Sequence, residues 1–506
     1  MLFGFRVLSL SFVLLFACLI GNAATFTVTK VADTNDGTCD GDCSLREAIA
    51  AATAAAGDDT IIFSTLFTTP QTIVLSGSEL VLGSNGATTI NGPGASLLTI
   101  SGNNASRIIS TGANVIATLD GITFTAGNGA GALNTGRGGA IYNVGGTLTI
   151  TNSIITGNTA ANGGGLNNAA STGPAVNANL TISNCIVSNN TTPGSGGGMQ
   201  NFSTSNVTID RSTFMGNTSN GSTGGGGGQF NGGVRITNST FANNSAPVGF
   251  GGGMQSNGTL GTVLTNVTFS GNSSLNGGGG IHRGTTSPTF WIRNSIVANN
   301  TAAAVPVDVG NSTGGLISEG NNIIGAIGSS TGWIMSDQQN VNPMLGTLAN
   351  NGGFGMTFVP MAGSPAINMG NNCVLTSTCT ANNPPSNVTT DQRGTSRPQG
   401  ATVDVGSVEV VSAPTFANVS GRVVTSAGNP VNNATVIMTV TSLGGGELGV
   451  VAYRAKTSSF GYFSFTGIQA GVTYSVTVAA KGQTFTPQNV PVNGDVSGIV
   501  LTTTPQ

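Results

Sequence analysis

Side chains able to move protons are scarce in this sequence, and their spacing limits what they can do. Between residues 121 and 307 the only carboxylate is Asp210. Hydrolysis of a glycosidic bond usually needs two carboxyl groups at a set separation. Elimination needs a base, usually with a cation to hold the developing anion. Partners for Asp210 must therefore come from outside that stretch, such as Asp120, Asp308 or Glu319. The single histidine, His282, sits beside Arg283 at a glycine-rich turn and reads as an exposed turn residue. No nucleophile triad can be drawn from these residues, and none is assigned a catalytic role. Binding chemistry is better represented. Trp291 lies between Phe290 and Ile292, so strand alternation predicts that it points outward, as does Arg293. Arg235 shares that outward stripe two repeats earlier. An exposed tryptophan stacks on a sugar ring or joins an interface. Trp291, Arg235 and Arg293 are thus the candidate binding residues, for a polysaccharide or another cell-surface ligand.

The elements that must position these residues are set by a repeat. The phrase ITNSIITGN at 150–158 returns as ISNCIVSNN at 182–190, IDRSTFMGN at 209–217 and ITNSTFANN at 236–244. LTNVTFSGN at 264–272 and IRNSIVANN at 292–300 continue it, and LDGITFTAGN at 119–128 is a looser early copy. The closing asparagines, Asn128, Asn158, Asn190, Asn217, Asn244, Asn272 and Asn300, are 27 to 32 residues apart. A second phrase falls between copies: GGAI at 138–141, GGGL at 163–166, GGGM at 196–199 and 251–254, and GGGI at 278–281. Flanking residues alternate apolar and polar, which marks strands with one buried face. One repeat cannot bury its own apolar face, so copies must stack. The pattern predicts a right-handed parallel β-helix of about ten coils over 60–342, with rungs about 4.8 Å apart. Stacking predicts an internal ladder of Ile155, Val187, Phe214, Phe241, Phe269 and Val297. A second ladder of turn asparagines would exchange amide hydrogen bonds along the axis. Cys185 replaces Ser153, Ser212 and Ser239 of a further ladder and reads as buried and inert.

Composition agrees with such a solenoid. Glycine supplies 79 of 506 residues and charged side chains only 7%. Disordered chains are instead rich in charge and poor in apolar residues, and here 38% are hydrophobic. A net charge of -3 gives no attraction to nucleic acid or anionic lipid. Residues 1–23 read as an export signal: Arg6, the apolar run Val7 to Ala17, then Gly21-Asn22-Ala23 for cleavage. Leu15-Phe16-Ala17-Cys18 faintly resembles a lipoprotein box. No later stretch is long and apolar enough for a membrane helix. In an exported chain, Cys39 with Cys43 and Cys373 with Cys379 are candidate disulfides.

The GGAI-type phrases and the Phe-x-x-Asn triplets (Phe214 to Asn217, Phe241 to Asn244, Phe269 to Asn272) resemble polymorphic outer-membrane protein repeats. That resemblance implies a bacterial surface β-helix. Cys43-Ser44-Leu45-Arg46-Glu47-Ala48 resembles the CSLREA segment that heads such helices, and 24–59 is read as an N-terminal cap. The residues support it: Ser44 and Glu47 form a capping box opening a helix from Leu45 to Ala56. A competing signal is the spacing of Asp36, Asp40 and Glu47, which fits a calcium loop apart from Thr38. Residues 343–411 resemble a choice-of-anchor Q region, in Pro343-Met344-Leu345-Gly346, Gly363-Ser364-Pro365-Ala366-Ile367, Asp391-Gln392-Arg393-Gly394 with Arg397-Pro398, and Asp404 to Glu409. They are read as a C-terminal cap, with Asp391, Arg393, Arg397 and Asp404 as a structural ion-pair network. Residues 412–506 resemble a carboxypeptidase-regulatory-like β-sandwich, through Gly421-Arg422-Val423, Pro430-Val431-x-x-Ala434 and Gly461-Tyr462-Phe463-Ser464-Phe465. Together these imply a secreted or surface-displayed bacterial protein for adhesion, glycan recognition or envelope structure. The alternative is a polysaccharide lyase or hydrolase, because the pectin-lyase-like β-helix also hosts such enzymes.

Overall fold

A computed structural model describes residues 23–504 except 84, 172–174, 203, 259, 285–288, 313–314, 380–383, 385, 412–415, 441–451, 470–471 and 493–494. The export signal read at 1–23 lies outside the described residues but for Ala23. The chain forms two compact units, divided between Val410 and Val411.

The first unit is a parallel β-helix. One turn shows the plan: Asn206–Asp210 in a first sheet, Thr213–Met215 in a second, Thr218–Ser219 in a fourth, Gly228–Phe230 in a third, then Gly233–Thr237 back in the first. The first and second sheets have eleven strands each, the third nine and the fourth six. Neighbours pair in parallel throughout the first three sheets, one rung on the next. Alternation decides which side chains enter the lumen. Ile155, Val187, Phe214, Phe241, Phe269 and Val297 are paired in that order and fully buried. The rings of Phe214, Phe241 and Phe269 stack with centroids 4.8 and 4.7 Å apart. Burying each such side chain stabilises the rod by roughly 2–3 kcal/mol.

The asparagine ladder is present as well. Asn158, Asn190, Asn217, Asn244 and Asn272 each donate from Nδ2 to Oδ1 of the next, at 2.8–3.0 Å, ending on Asn300. Asn300 then donates to Asp308 Oδ1 at 2.8 Å, so a carboxylate terminates the row. Asn128 is not a member. Its copy of the repeat is one residue longer, and Gly127 takes the ladder position, donating its N–H to Asn158 Oδ1. The GGG phrase has a steric cause. A Cβ at Gly198 would lie 2.4 Å from the Gly227 carbonyl oxygen, and one at Gly227 would lie 2.4 Å from that of Gly253. Only glycine lets successive backbones approach so closely.

At the head of the rod the helix Leu45–Ala54 starts from a complete Ser44–Glu47 capping box and buries Leu45, Ala48, Ile49 and Ala52 in the rod core. It ends at Ala54, earlier than read, with Ala55 already extended. The first sheet begins inside the expected cap, because Thr25–Val28 pairs with Thr60–Phe63.

Residues 343–410 do not sit as a lid on the far end. They lie along the outer flank of the second sheet. Thr213 Oγ1 donates to the Met356 carbonyl, Thr240 Oγ1 to Gln392 Oε1, and the Ser407 N–H to Thr268 Oγ1. Asn238, Asn266, Asn294 and Asn321 at the adjoining turn each donate to a carbonyl of this strap. Outward-facing Ile296 and Ile323 pack against Ala366 and Val405. The strap is held by buried ion pairs: Arg397 with Glu409 at 2.8 Å and Arg393 with Asp391 at 2.8 Å. Asp404 joins them through backbone, accepting from the Asn368 and Val410 N–H groups. Among the described residues both expected disulfides are formed, Cys39–Cys43 and Cys373–Cys379.

The second unit is a β-sandwich. Phe416–Val424 lies between Tyr462–Gln469 and Val496–Thr502 in a three-stranded sheet. Ala452–Lys456, Thr435–Val440, Val472–Ala479 and Gln488–Val492 form the four-stranded partner. All pairs are antiparallel except Phe416–Val424 with Val496–Thr502. Alternate residues, among them Val419, Val436, Met438, Phe463, Phe465 and Tyr474, fill the space between.

Candidate functional site

The outer face of the first sheet carries the rod's most ordered surface. Thr147–Thr151, Asn179–Ser183 and Asn206–Asp210 each read polar, buried, polar, buried, polar, so every second residue faces out. Register places one residue type above the next: Thr60, Thr89, Thr118, Thr149, Thr181 and Thr208 form a single half-exposed column. Arg235, Val263, Trp291 and Ile317 continue that column. Six hydroxyls at rung spacing span about 24 Å.

Trp291 is half-buried, as an outward residue of Phe290–Arg293, between inward Phe290 and Ile292. Its ring lies against Gly261, where a Cβ would be 3.3 Å from Cζ3. A groove of about 290 Å³ runs beside it, lined by Asn206, Thr208, Arg235, Leu260 and Val263 among others. Arg235 and Trp291 therefore share one concavity. Arg293 does not join them. It is 2% exposed and ion-paired with Glu319, one rung away. Arg293 keeps the outward register of Thr237 and Thr265, but all three positions are buried. The signal was available, since Glu319 follows Ser318, which pairs with Ile292, the residue before Arg293.

The carboxylates are dispersed. Asp120 and Asp210 stand in one column, with Thr151 and Ser183 between them. Three rungs separate them by about 14 Å, beyond the roughly 5–9.5 Å that glycoside hydrolysis uses. Asp120 accepts from Thr151 Oγ1 and Asn152 Nδ2, and Asp210 pairs with Arg211 at 2.9 Å. Burial raises the Asp210 carboxyl above its usual range, with Arg211 opposing. Asp308 and Glu319, the other possible partners, are occupied by Asn300 and Arg293.

His282 is not an exposed turn residue. It lies in the strand Ile281–Arg283, 3% exposed, stacked on Phe250 at 4.5 Å, with Nε2 2.9 Å from Ser312 Oγ. Burial pulls its imidazole down to about 4. It extends a buried amide row that the sequence reading missed. Asn167 donates to Gln200, Gln200 to Gln229 and Gln229 to Gln255, which pairs with His282. The signal was the residue after each glycine phrase and its apolar neighbour, at 167, 200, 229 and 255. Cys185 is buried, and burial pushes its thiol up to about 12, so it is inert.

At the head of the rod the calcium candidates are engaged in other contacts. Glu47 is 2% exposed, accepting the Asp36 N–H on Oε1 and the Ser44 N–H on Oε2. Burial alone would raise its carboxyl, but these donors outweigh it and hold the group below its usual range. Asp36 and Asp40 each accept an N–H two residues on. No three metal-binding side chains converge among the described residues.

Comparison with known families adds to the second unit. Residues 418–504 match the carboxypeptidase regulatory-like domain family, and this part of the chain is such a domain, following a β-solenoid body in the sequence. No curated protein matches the chain. Among the described residues no helix is long and apolar enough to cross a membrane.

Proposed function

We propose that this chain is a secreted or surface-displayed, non-catalytic β-helix that recognises a polysaccharide along the outer face of its first sheet. The observation that carries the reading is the in-register column of six threonines that runs into Arg235, Val263 and Trp291 beside a groove. Hydroxyls at constant spacing offer donors and acceptors to a polymer with its own repeat. An aromatic plate at one end stacks on a sugar ring. The dispersed carboxylates support recognition in preference to cleavage. The CSLREA-like head and the choice-of-anchor-like strap support a place at a bacterial cell surface, where an extended rod serves adhesion or envelope structure.

The test is a glycan array probed with the full chain, alongside assays of released reducing ends and unsaturated products. Binding without turnover is expected, and Trp291→Ala is expected to weaken it about two- to tenfold. Turnover that disappears in Asp210→Asn would replace this reading with the lyase or hydrolase alternative.

A further inference from the structure

The two units differ in charge. Residues 411–506 hold Arg422, Arg454, Lys456 and Lys481 against Glu447 and Asp495, a net +2 in a chain whose total is -3. Three of those four cations line a single open cleft of about 860 Å³. Its walls come from four strands: Ser420 and Arg422 from Phe416–Val424, Arg454 and Lys456 from Ala452–Lys456, Tyr462 and Ser464 from Tyr462–Gln469, and Val500 from Val496–Thr502.

No carboxylate lines this cleft among the described residues. Asp495 accepts the Asn418 N–H and is not part of the wall, and Glu447 lies outside the described residues. The cations are held, and among the described residues no carboxylate neutralises them. Arg422 donates Nε to the Phe460 carbonyl at 3.0 Å and sits over the Tyr462 ring at 5.4 Å. Lys456 Nζ donates to Asn433 Oδ1 at 3.1 Å. Arg454 is exposed, and none of the three makes an ion pair with a described residue. Three like charges around one concavity repel one another unless an anion lies among them.

We propose that this cleft binds a segment of an acidic polysaccharide, with uronate carboxylates on Arg422, Arg454 and Lys456 and a sugar ring beside Tyr462. Guanidinium forks suit carboxylates, because two parallel N–H donors meet two oxygens. The exposed Tyr462 ring gives a ring-sized apolar plate. Hydroxyls of Ser420, Ser458 and Ser464 in the wall suit the neutral oxygens of sugars. The volume falls within the roughly 300–1,000 Å³ of small-ligand sites, enough for a short oligosaccharide. Its spread of charge matches a polymer with one carboxylate per residue better than a single phosphate. This site is built wholly from residues of the second unit, and the proposal does not rest on the function proposed for the rod.

Calorimetric titration of the full chain with a galacturonate trimer tests the proposal, with a neutral glucose trimer and a short single-stranded oligonucleotide as comparators. The galacturonate trimer is expected to bind and the neutral trimer to fail. Binding should weaken at least tenfold in Arg454→Gln/Lys456→Gln, and again as salt is raised and the charges are screened. Both side chains are exposed, so this variant should keep the parent's melting profile. Equal binding of the neutral trimer, affinity unaltered in the double variant, or tighter binding of the oligonucleotide would each overturn the assignment.

Discussion

The rod and the C-terminal sandwich handle charge in opposite ways. In the rod every position is repeated one rung above, so a charged residue type in the repeat becomes a column of like charges about 4.8 Å apart. Each such neighbour costs on the order of 1 kcal/mol even in water. The rod avoids this by stacking threonines outside and asparagines inside, and by pairing its buried arginines, as in Arg107–Glu79 and Arg293–Glu319. The sandwich has no such column. Its strands bring three cations to one cleft without repeating any of them. Stacked architecture therefore favours neutral recognition along its length, and charged recognition falls to the unit that does not stack.

The largest test of this contrast is Phe241→Asp, which puts an unpaired carboxylate into the phenylalanine stack. Calorimetry should show the rod transition lost or lowered by about 5–10 °C, for a cost of several kcal/mol, while the sandwich transition stays in place. Asn244→Ala should be next. It strands the Asn217 N–H and amide, both of which donate to Asn244 Oδ1. A loss of about 2–4 kcal/mol is expected in denaturant titrations.

Acid titration separates two buried groups of opposite sign. Burial lifts the Asp308 carboxyl from 3.8 to about 6, so the folded rod holds a proton there that the unfolded chain has released. Stability from this group is fully present below about pH 4 and is lost as pH rises to about 6. His282 falls from 6.5 to about 4, so its share of stability is absent below about pH 4 and gained as pH rises to about 6.5. The two slopes nearly cancel. In Asp308→Asn, stability should climb between pH 4 and 6.5; in His282→Gln it should fall between pH 4 and 6. Each swing should be on the order of 3 kcal/mol. A flat profile in both variants would remove this account.

The smallest effect concerns the threonine column. Thr149→Lys and Thr181→Lys singly should change stability by less than about 0.5 kcal/mol. Together they face each other across one rung, and should cost roughly 0.5–1 kcal/mol more than their sum, relieved in high salt.

Much of the rod was legible because a period of 27 to 32 residues, together with alternation, fixes both stacking and facing. The aromatic ladder and the asparagine row follow from that alone, and so does the distance between Asp120 and Asp210. What escaped was whatever lacks a period. The strap along the second sheet has no repeat, and its hold on Thr213, Thr240 and Thr268 is visible only in three dimensions. Ile296 beside inward Val297 was a partial sign, since two adjacent apolar residues in a strand mean cover on both faces. Arg293 was misassigned because alternation tells which way a side chain faces and not what covers it. The cationic cleft draws on strands far apart in sequence, so its assembly could not be read from spacing.

The strap also constrains how such a chain can change in length. Solenoids readily gain or lose whole turns, because each contacts only its neighbours. Here residues 343–410 are fastened at successive levels from Thr213 to Asn321. Removing one turn within that interval would shift every later fastening point by a full level, whereas adding or deleting a turn before Thr213 leaves them all matched. Duplication should therefore be tolerated in the first half of the rod and refused in the second, making the C-terminal half a fixed ruler and the N-terminal half an adjustable one.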